Sequence, residues 1–400
     1  MRNHPGPHIA LVTNTDWALY NFRKGLVDHL LAAGWTVSGL CQISRFREQI
    51  ASLTPARVMP LKQYTKSVAP LSDVRLIVEL FRRFVCLKPT ISHNFTIKPV
   101  IYGTIAARLA GIPIVVNTIT GLGYVFTERE ESHRLLQRIV IWLYRLMGSL
   151  SDAVIVQNSD DKAFFLRNRL VSAKKAVLIP GSGVDTDYFS KDTVNPDIIR
   201  ALRNSLQLKS DEKVVLCISR MLYDKGVGEL VECARQLAFS DTAVRFLLVG
   251  PLAPGHPAMI PQSRLQQWEE CGLVNYLGQR SDIRELLQLA DLVVLPSYRE
   301  GTSRVLLEAA SMQKPIVATN VPGCRDLVIH RETGLQVPAR NNEALKRAIM
   351  ELLSDPLLAE RLGRNARALV IQKFDDRIIA RQTLELYAKL AHLSRARLGF

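Results

Sequence analysis

The sequence predicts an α/β protein with two domains, each a parallel sheet covered by helices. Its 400 residues suit two domains of ~180–200 residues better than a single one. Apolar strand-like runs alternate with amphipathic helical stretches along the whole chain, and the strands are rich in Val, Ile and Leu. Because a strand buried on both faces shows no polar alternation, this rhythm indicates parallel sheets.

Both halves of the chain repeat the strand–helix order. In the first half the predicted strands are His8–Thr13, Thr36–Cys41, Thr90–His93, Ile114–Asn117, Ala153–Gln157 and Ala176–Ile179, with helices near Tyr20–Ala33, Asp73–Leu87, Pro99–Ala110 and Arg134–Gly148. In the second half the predicted strands are Val214–Ser219, Val244–Val249, Val274–Tyr276, Leu292–Leu295 and Ile316–Ala318, with helices near Gly228–Leu237, Pro261–Glu270, Ile283–Leu289 and Val305–Met312. The tail Glu343–Leu393 is predicted to be nearly all helical.

The predicted domain boundary lies in the polar segment Asp187–Asp197, which separates two complete βα series. We expect an N-terminal Rossmann-like domain over residues 1–188 and a C-terminal one over residues 189–374. A last helix over residues 375–400 is expected to pack back on the first domain. Ligands of such sheets bind beyond the carboxyl ends of the strands, so two domains facing each other would form a central cleft there.

Composition and cysteine usage favour a soluble cytosolic protein. Hydrophobic residues make up 48% of the chain and charged residues 22%, which suits a sizeable core. The six cysteines form no C-x-x-C or Cys/His cluster, so neither a metal site nor a disulfide framework is predicted. The polar N-terminus does not resemble a signal peptide, and the longest apolar run, Ile139–Tyr144, is far too short to span a membrane.

The net charge of +15 is compatible with nucleic acid, an anionic membrane or phosphorylated substrates. Nucleic acid is disfavoured because the basic residues are spread out and no nucleic-acid-binding motif occurs. Leu135–Met147 and Thr65–Arg83 combine apolar stripes with arginines and are candidate membrane surfaces. The alternative for Leu135–Met147 is an ordinary helix buried against the sheet.

The segment Arg299–Glu308 carries the strongest chemical signal. It follows a predicted strand, and Gly301–Ser303 can present backbone N–H groups to a phosphate at the start of a helix. Glu308 lies among apolar residues, so its carboxylate needs partners such as ribose hydroxyls. The alternative is that Glu300 and Glu308 are both solvated.

Three further segments follow predicted strands. Arg220 and Lys225 could bind phosphate oxygens and stabilise a departing diphosphate, or could be two surface cations. His93 could orient an acceptor hydroxyl or take its proton, although a structural histidine is at least as compatible. Thr118–Tyr124 contains two glycines that permit close approach of a ligand or form a turn. G-x-G-x-x-G after the first strand, the P-loop and G-x-S-x-G are absent, which disfavours dehydrogenases, P-loop enzymes and serine hydrolases of that type.

At these residues the chain resembles the retaining GT-B glycosyltransferases of family 4. The resemblance is carried by Glu300–Glu308 (E-x7-E), Arg220–Lys225 (R-x4-K), Gln313–Thr319, Gly323–Asp326, Glu332–Leu335 and Ile179–Asp185. Asn14–Arg23, His93–Pro99 and Thr118–Tyr124 resemble a bacterial subgroup that extends lipid-linked oligosaccharides, often with N-acetylhexosamine.

The resemblance implies roles for individual residues. Arg220 and Lys225 would bind the donor diphosphate, Glu300 would contact the transferred sugar and Glu308 would hold the ribose. The implied donor-binding set also includes Gly301, Thr302 and Ser303, with Arg280 and Asp282 in the loop that would read a uracil base. The implied acceptor-side residues are Asn14, Asn21, Arg23, His93, Thr120 and Gly121.

Three positions depart from the family pattern. The first βα loop reads Thr13–Trp17 where many members carry a glycine pair, and Ser303 stands where proline is frequent. Thr120 stands where many members carry a histidine that contacts the donor sugar.

The function that the resemblance implies is a metal-independent, retaining transfer of a hexose or N-acetylhexosamine from a UDP-sugar to a lipid-linked saccharide in surface polysaccharide synthesis. The expected partners are the nucleotide sugar, a polyprenyl-diphosphate-linked acceptor and an anionic inner-leaflet surface, with no cofactor and no nucleic acid. The expected location is the cytoplasm, peripherally at the inner membrane. The alternatives are a UDP-sugar epimerase or hydrolase of the same fold and a non-catalytic sugar-nucleotide sensor.

Overall fold

The computed structural model describes residues 6–44, 46–51, 56–62, 70–121, 134–238 and 243–398. The chain forms two compact units: unit 1 is Met1–Gly183 with Asp376–Phe400, and unit 2 is Val184–Asp375. It therefore passes from unit 1 to unit 2 after Gly183, ahead of the predicted boundary at residue 188.

Unit 1 contains a parallel sheet. Its described strands are β1 (His8–Thr15), β2 (Thr36–Gln42), β3 (Arg57–Pro60), β4 (Ile91–Phe95), β5 (Ile114–Ile119), β6 (Ala153–Val156) and β7 (Ala176–Leu178). They lie side by side in the order β3-β2-β1-β4-β5-β6-β7, and every described pair is parallel. Successive residues of β1 supply opposite faces, since Ile9 and Leu11 join one core cluster while Ala10 and Val12 join another.

Helices cover this sheet. They are α1 (Asp16–Ala32), α2 (Arg47–Ala51), α3 (Pro70–Leu87), α4 (Thr104–Leu109), α5 (Arg134–Leu150) and α6 (Ser159–Arg167). A π-helical turn, Pro99–Gly103, precedes α4, so the single helix predicted over Pro99–Ala110 is two pieces. A Cβ on Gly103 would lie 2.5 Å from Oδ1 of Asn94, and this close approach to β4 accompanies the irregular turn.

Unit 2 contains a second parallel sheet. Its described strands are β8 (Lys213–Ile218), β9 (Val244–Val249), β10 (Asn275–Tyr276), β11 (Leu292–Leu295), β12 (Ile316–Thr319) and β13 (Leu335–Val337). They lie in the order β10-β9-β8-β11-β12-β13, again all parallel where described. Val214 and Leu216 of β8 belong to one core cluster and Val215 and Cys217 to the other, as expected for a sheet buried on both faces.

The remaining helices complete unit 2 and return to unit 1. They are α7 (Pro196–Ser205), α8 (Val227–Leu237), α9 (Gln262–Glu270), α10 (Ile283–Leu289), α11 (Arg304–Ser311), α12 (Asn342–Ser354), α13 (Pro356–Lys373) and α14 (Asp376–Leu398). α14 belongs to unit 1, where Ile379 and Tyr387 join the core cluster that contains Ile9. Among the described residues no helix has both the length and the hydropathy needed to cross a bilayer.

Candidate functional site

The predicted donor-site residues lie at the carboxyl edge of the unit 2 sheet. The strand order changes direction between β8 and β11, because the chain continues to β9 and β10 on one side and to β12 and β13 on the other. Loops that leave neighbouring strands in opposite directions open a crevice at their carboxyl ends, which is the usual ligand position in such sheets. Arg220 and Lys225 follow β8, and Glu300 follows β11. The fold thus brings both predicted motifs to this switch point.

Lys225 and Glu300 form an ion pair there. Lys225 Nζ lies 2.6 Å from Glu300 Oε1, and the two side chains are only 15% and 16% exposed. Lys225 ends a short 3-10 turn, Tyr223–Lys225. The Glu300 carboxylate holds the Lys225 ammonium group in place at the switch point and balances its charge. The ammonium group has further N–H donors, so an anionic ligand can bind to it as well.

Glycines allow the loops around this pair to approach closely. Gly226 has φ +70, and a Cβ on it would lie 2.1 Å from the carbonyl oxygen of Pro296 in the loop after β11. Gly323 has φ +78, and a Cβ there would lie 2.1 Å from the carbonyl oxygen of Gly301. The backbone of Glu300 also donates to Pro322 O at 3.1 Å. The loops after β8, β11 and β12 therefore fix one another through backbone contact.

Of the two predicted phosphate-binding cations, Arg220 and Lys225, Arg220 is the exposed one. It directly follows Ser219, whose hydroxyl donates to the Arg220 carbonyl oxygen at 3.1 Å. Among the described residues its guanidinium forms no ion pair. An exposed fork of donors in the same loop as the half of a buried ion pair that Lys225 supplies is suited to a phosphate group.

The loop Gly301–Ser303 leads into α11, as predicted. Ser303 is the N-cap, and its hydroxyl oxygen accepts from Leu306 N at 3.4 Å. Gly301 and Thr302 are half-buried next to it. The positive end of the helix dipole and the amides of its first turn are thus at the same edge as Lys225.

Glu308 is a buried carboxylate in α11. It is 8% exposed, and Arg304 Nε lies 2.8 Å from its Oε1, one helical turn earlier. Burial raises the pKa of Glu308, and Arg304 partly opposes that shift. Among the described residues this carboxylate is held by a cation on its own helix, which the sequence interpretation had not identified.

The loop after β10 holds Arg280 and Asp282. Arg280 Nε lies 2.8 Å from Asp282 Oδ1, and this hydrogen bond lowers the pKa of the Asp282 carboxyl. Gly250, at the end of β9, donates to Gly278 O at 2.8 Å. A Cβ on Gly250 would lie 1.8 Å from Ser219 O, so the backbone that follows β9 is in close contact with the loop that carries Arg220.

His93 is a buried residue of β4 in unit 1. It is 1% exposed, Nδ1 is hydrogen-bonded to the Tyr387 hydroxyl of α14, and Nε2 lies 2.7 Å from the Thr118 hydroxyl. Burial holds the pKa of His93 well below its ordinary value, with a contribution from the nearby Arg23 cation. A neutral ring with both nitrogens engaged favours the structural alternative over an acid–base role.

Arg23 shares a small cavity with His93. The lining includes Thr118, Asp376 and Thr383. Arg23 is only 7% exposed, and its guanidinium lies 4.0 Å from the centre of the Phe95 ring. The cavity lies within unit 1, between the sheet and helices α1 and α14.

The other predicted acceptor-side residues lie near the carboxyl ends of β1 and β5. Asn14 is in the last part of β1, and Asn21 Nδ2 donates to Trp17 O at 3.0 Å in α1. Thr120 and Gly121 follow β5 and are half-buried, with Gly121 at φ +136. Residues 122–124 of the same predicted motif lie outside the described residues.

Asp16 is a residue that the sequence interpretation missed. It is fully buried and accepts hydrogen bonds from Ser44 N at 2.6 Å, Ser44 Oγ at 2.7 Å, Phe46 N at 3.0 Å and Trp17 N at 2.8 Å. The loop after β2 is therefore attached to the start of α1. The only sequence signal was an acidic residue in the first helical turn. No group of three His, Cys, Asp or Glu side chains placed to hold a metal occurs within the described ranges.

Comparisons with known proteins agree with this architecture. Residues 198–369 match the family model "Glycosyl transferases group 1", and residues 8–158 match "Glycosyl transferase 4-like". The N,N'-diacetylbacillosaminyl-diphospho-undecaprenol alpha-1,3-N-acetylgalactosaminyltransferase of Campylobacter jejuni is 31% identical over 352 residues, which cover 83% of this chain and 90% of that protein. The UDP-Gal:alpha-D-GlcNAc-diphosphoundecaprenol alpha-1,3-galactosyltransferase of Escherichia coli is 24% identical over 313 residues, 78% of each chain.

The fold is also shared with solved structures. Alr3699/HepE of Anabaena, in complex with UDP-glucose, matches with a TM-score of 0.77 at 22% identity and covers 96% of this chain and 99% of its own. The family matches and the fold together define a glycosyltransferase of the GT-B architecture, which confirms the predicted fold class. The chain belongs to the family-4-type glycosyltransferases, as its motifs indicated.

Proposed function

We propose that this glycosyltransferase moves a hexose or N-acetylhexosamine from a UDP-sugar to a polyprenyl-diphosphate-linked saccharide in surface polysaccharide synthesis. The names of the C. jejuni and E. coli relatives both specify an undecaprenol-diphosphate-linked acceptor, and the second specifies a UDP-sugar donor. The observation that carries the proposal is the Lys225–Glu300 pair at the switch point of the unit 2 sheet, where Lys225 lies in the loop that also carries Arg220.

In this proposal the unit 2 residues hold the donor. Arg220 and Lys225 bind the diphosphate, and the amides of Gly301–Ser303 add partial positive charge to it. Glu308 accepts hydrogen bonds from the ribose hydroxyls. The loop that contains Arg280 and Asp282 contacts the base.

Transfer proceeds with retention by attack on the front face of the sugar. The bond from the anomeric carbon to the diphosphate oxygen breaks, and the acceptor hydroxyl oxygen bonds to the same carbon from the same side. The acceptor proton passes to the departing diphosphate. Arg220 and Lys225 stabilise the charge that develops there, and Glu300 orients both Lys225 and the sugar. Both relatives form an α linkage by name, which is retention for a donor whose nucleotide is α-linked.

The test is nucleotide release from a panel of UDP- and GDP-sugars, with and without a bacterial polyprenyl-diphosphate-saccharide extract. We expect release that requires one UDP-sugar and the lipid extract, together with a glycosylated lipid product. Release without acceptor would replace the proposal by an epimerase or hydrolase. Tight donor binding with no release on any acceptor would replace it by a sugar-nucleotide sensor.

We further propose that a surface on unit 1 docks on the anionic cytoplasmic face of the inner membrane. Five apolar side chains of α3 point away from its buried face: Leu71, Val74, Val78, Phe81 and Val85, each 37–78% exposed. Their spacing of three and four residues places them in one stripe. Exposed arginines flank it at positions 75 and 82. We call the five apolar residues the α3 stripe.

A second helix of unit 1, α5, also exposes apolar side chains and arginines. α4 packs against both α3 and α5. On α5, Ile139 is 48% exposed and Trp142 61% exposed, with Arg138 and Arg145 also exposed. Apolar side chains that alternate with arginines match the interface of an anionic bilayer, where tryptophan is favoured.

Vesicle sedimentation tests this docking. We expect the protein to co-sediment with phosphatidylglycerol vesicles at low salt and less with phosphatidylcholine vesicles. A double variant that combines Val78→Glu with Phe81→Glu should abolish co-sedimentation. Ile198→Glu, at an equally exposed apolar position of α7, is the matched control and should have no effect. Equal binding by all three proteins would refute the α3 stripe as the docking surface.

A further inference from the structure

Tyr298 lies in the loop that leads from β11 to Glu300, two residues before that carboxylate. Its backbone N–H donates to the carbonyl oxygen of Asp224 at 2.9 Å. Asp224 immediately precedes Lys225, so this bond joins the two loops that supply the Lys225–Glu300 ion pair. The two loops are thus connected through their backbones next to the point at which their charged side chains meet.

The side chain of Tyr298 extends this connection to the helix that follows Lys225. Its hydroxyl donates to Oε1 of Glu229, in the first turn of α8. α8 begins directly after Gly226, so its first turn continues the backbone of the Lys225 turn. Burial and the hydrogen bond to Glu229 raise the pKa of Tyr298 well above its ordinary value, which keeps the phenol protonated as the donor.

A third contact holds the ring of Tyr298. The guanidinium group of Arg340 lies over this ring, 4.5 Å from its centre, as in a cation–π interaction. Arg340 belongs to the loop between β13 and α12 and has φ +59, which is uncommon for a residue other than glycine. Tyr298 is therefore fixed by three parts of unit 2: the Lys225 turn, α8 and the loop before α12.

The ammonium group of Lys225 depends on such support for its position. It is carried on a flexible four-carbon stem, and the carboxylate that holds it belongs to the loop of Tyr298. Groups that bind a ligand have to stay within ~0.5 Å of the productive geometry, and neighbours with fixed positions provide this. Loss of the hydrogen bond from Tyr298 to Glu229 would release the β11 loop from α8. The Glu300 carboxylate and the Lys225 ammonium group would then shift together.

We propose that Tyr298 is a positioning residue for the ammonium group of Lys225 where it binds the donor diphosphate. It acts through the Glu300 loop on one side and through α8 on the other, rather than by contact with the ligand. This inference rests on the proposed function for the role of Lys225 in diphosphate binding.

Binding of UDP and of uridine separates the placement of Lys225 from a general loosening of the site. Both ligands carry the base and the ribose, but only UDP carries the diphosphate. Tyr298→Phe removes the hydroxyl and keeps the ring under Arg340. We expect this variant to bind UDP about threefold to tenfold more weakly and uridine as wild type does. Calorimetry measures UDP binding, and NMR titration measures uridine binding.

Tyr102→Phe is the matched control. Tyr102 also donates to a carboxylate, that of Asp73 in unit 1, at 3.0 Å, and burial and Asp73 raise the pKa of Tyr102 to about 12. This variant should lose a similar amount of stability and bind both ligands as wild type does. At the partner of Tyr298, Glu229→Gln keeps an accepting oxygen and should restore most of the UDP affinity that Glu229→Leu loses.

Lys225→Ala shows whether Tyr298 acts through Lys225. Tyr298→Phe should weaken UDP binding in wild type and cause no further loss in the Lys225→Ala background. Equal losses in both backgrounds, an equal loss of uridine binding, or unchanged UDP binding by Tyr298→Phe would refute the positioning role alone. Wild type that binds no UDP, or Lys225→Ala that binds UDP as tightly as wild type, would instead refute the proposed donor role of Lys225, and the inference with it.

Discussion

Replacing Gly226 by alanine tests whether backbone contact between loops sets the geometry of the proposed donor site. Gly226 has φ +70, and an added Cβ would lie 2.1 Å from the carbonyl oxygen of Pro296. Since real Cβ atoms stay at least 3.0 Å from such an atom, the loops must separate by 3.0 − 2.1 = 0.9 Å or more. Pro296 closely precedes Glu300, so Glu300 would move relative to Lys225.

The expected magnitudes follow from this displacement. Alanine in the left-handed region costs ~1–2 kcal/mol, and each kcal/mol lowers Tm by about 2–4 °C for a protein unit of this size. Misplacement of catalytic groups by about 1 Å costs ~10²-fold in rate. We therefore expect a folded protein with kcat/KM lowered about 100-fold, and a decrease in Tm that exceeds the one due to backbone strain alone.

Gly272→Ala is the matched control. Gly272 has φ +68, but nothing lies within 4 Å of the position its Cβ would take. It therefore introduces the same backbone strain without displacing a loop. Thermal unfolding and initial rates of nucleotide release would be measured on both variants. Equal kcat/KM for the two would refute the idea that contact between Gly226 and Pro296 sets the site geometry.

Three further substitutions test individual side chains. Lys225→Ala should lower turnover by ~10²–10³-fold in the nucleotide-release assay, whereas Lys213→Ala, whose 3.4 Å pair with Asp291 is half-exposed, should change it by less than about twofold. Glu308→Gln should raise Tm above that of wild type at pH 7.5 while weakening UDP binding. Because the pKa of Glu308 is raised in the folded protein, its contribution to stability is complete below the ordinary pKa of 4.5 and is lost as pH rises through the folded pKa. A Tm difference between variant and wild type that stayed the same from pH 5 to pH 8 would contradict this. Wild type should lose stability as pH falls below 6.5 towards the folded-state pKa of His93, because that pKa is lowered. His93→Gln should make this loss smaller. Urea unfolding at pH 5, 6 and 7 measures how the free energy of unfolding changes with pH in both proteins.

Most strands and helices could be predicted from the sequence, but the edge strand β3 and the helix α7 were not. β8 and β11 are continuous apolar runs and were predicted within one residue of their bounds. β3 was missed because it begins with Arg57, ends at Pro60 and is only partly buried. α7 was missed although Asn195 caps it and Pro196 starts it, because that proline was interpreted as a sign of a domain boundary.

The arrangement of the site was predictable only in part. The positions of Arg220–Lys225 and Glu300–Glu308 after predicted strands indicated that these loops meet, because residues that follow neighbouring parallel strands lie at one edge, and the Lys225–Glu300 pair lies there. The Arg304–Glu308 pair could have been predicted from its i,i+4 spacing on a helix. The hydrogen bond from His93 to Tyr387 could not, because 294 positions separate the two residues. A single sequence does not encode such a contact in any local pattern.

Two cation–carboxylate pairs, Lys225–Glu300 and Arg304–Glu308, explain how this site can hold several charges before a substrate binds. Each pair is less than one third exposed, with distances of 2.6 and 2.8 Å. Without its cation, either carboxylate would be buried and uncompensated, which is strongly destabilising. A nucleotide diphosphate and ribose can replace part of each interaction, because phosphate oxygens bond the ammonium while hydroxyls donate to the carboxylate. Removing a cation should therefore reduce both stability and activity, whereas neutralising Glu308 should reduce only activity. The different effects of the two kinds of substitution on stability distinguish a ligand site from a pair of structural salt bridges.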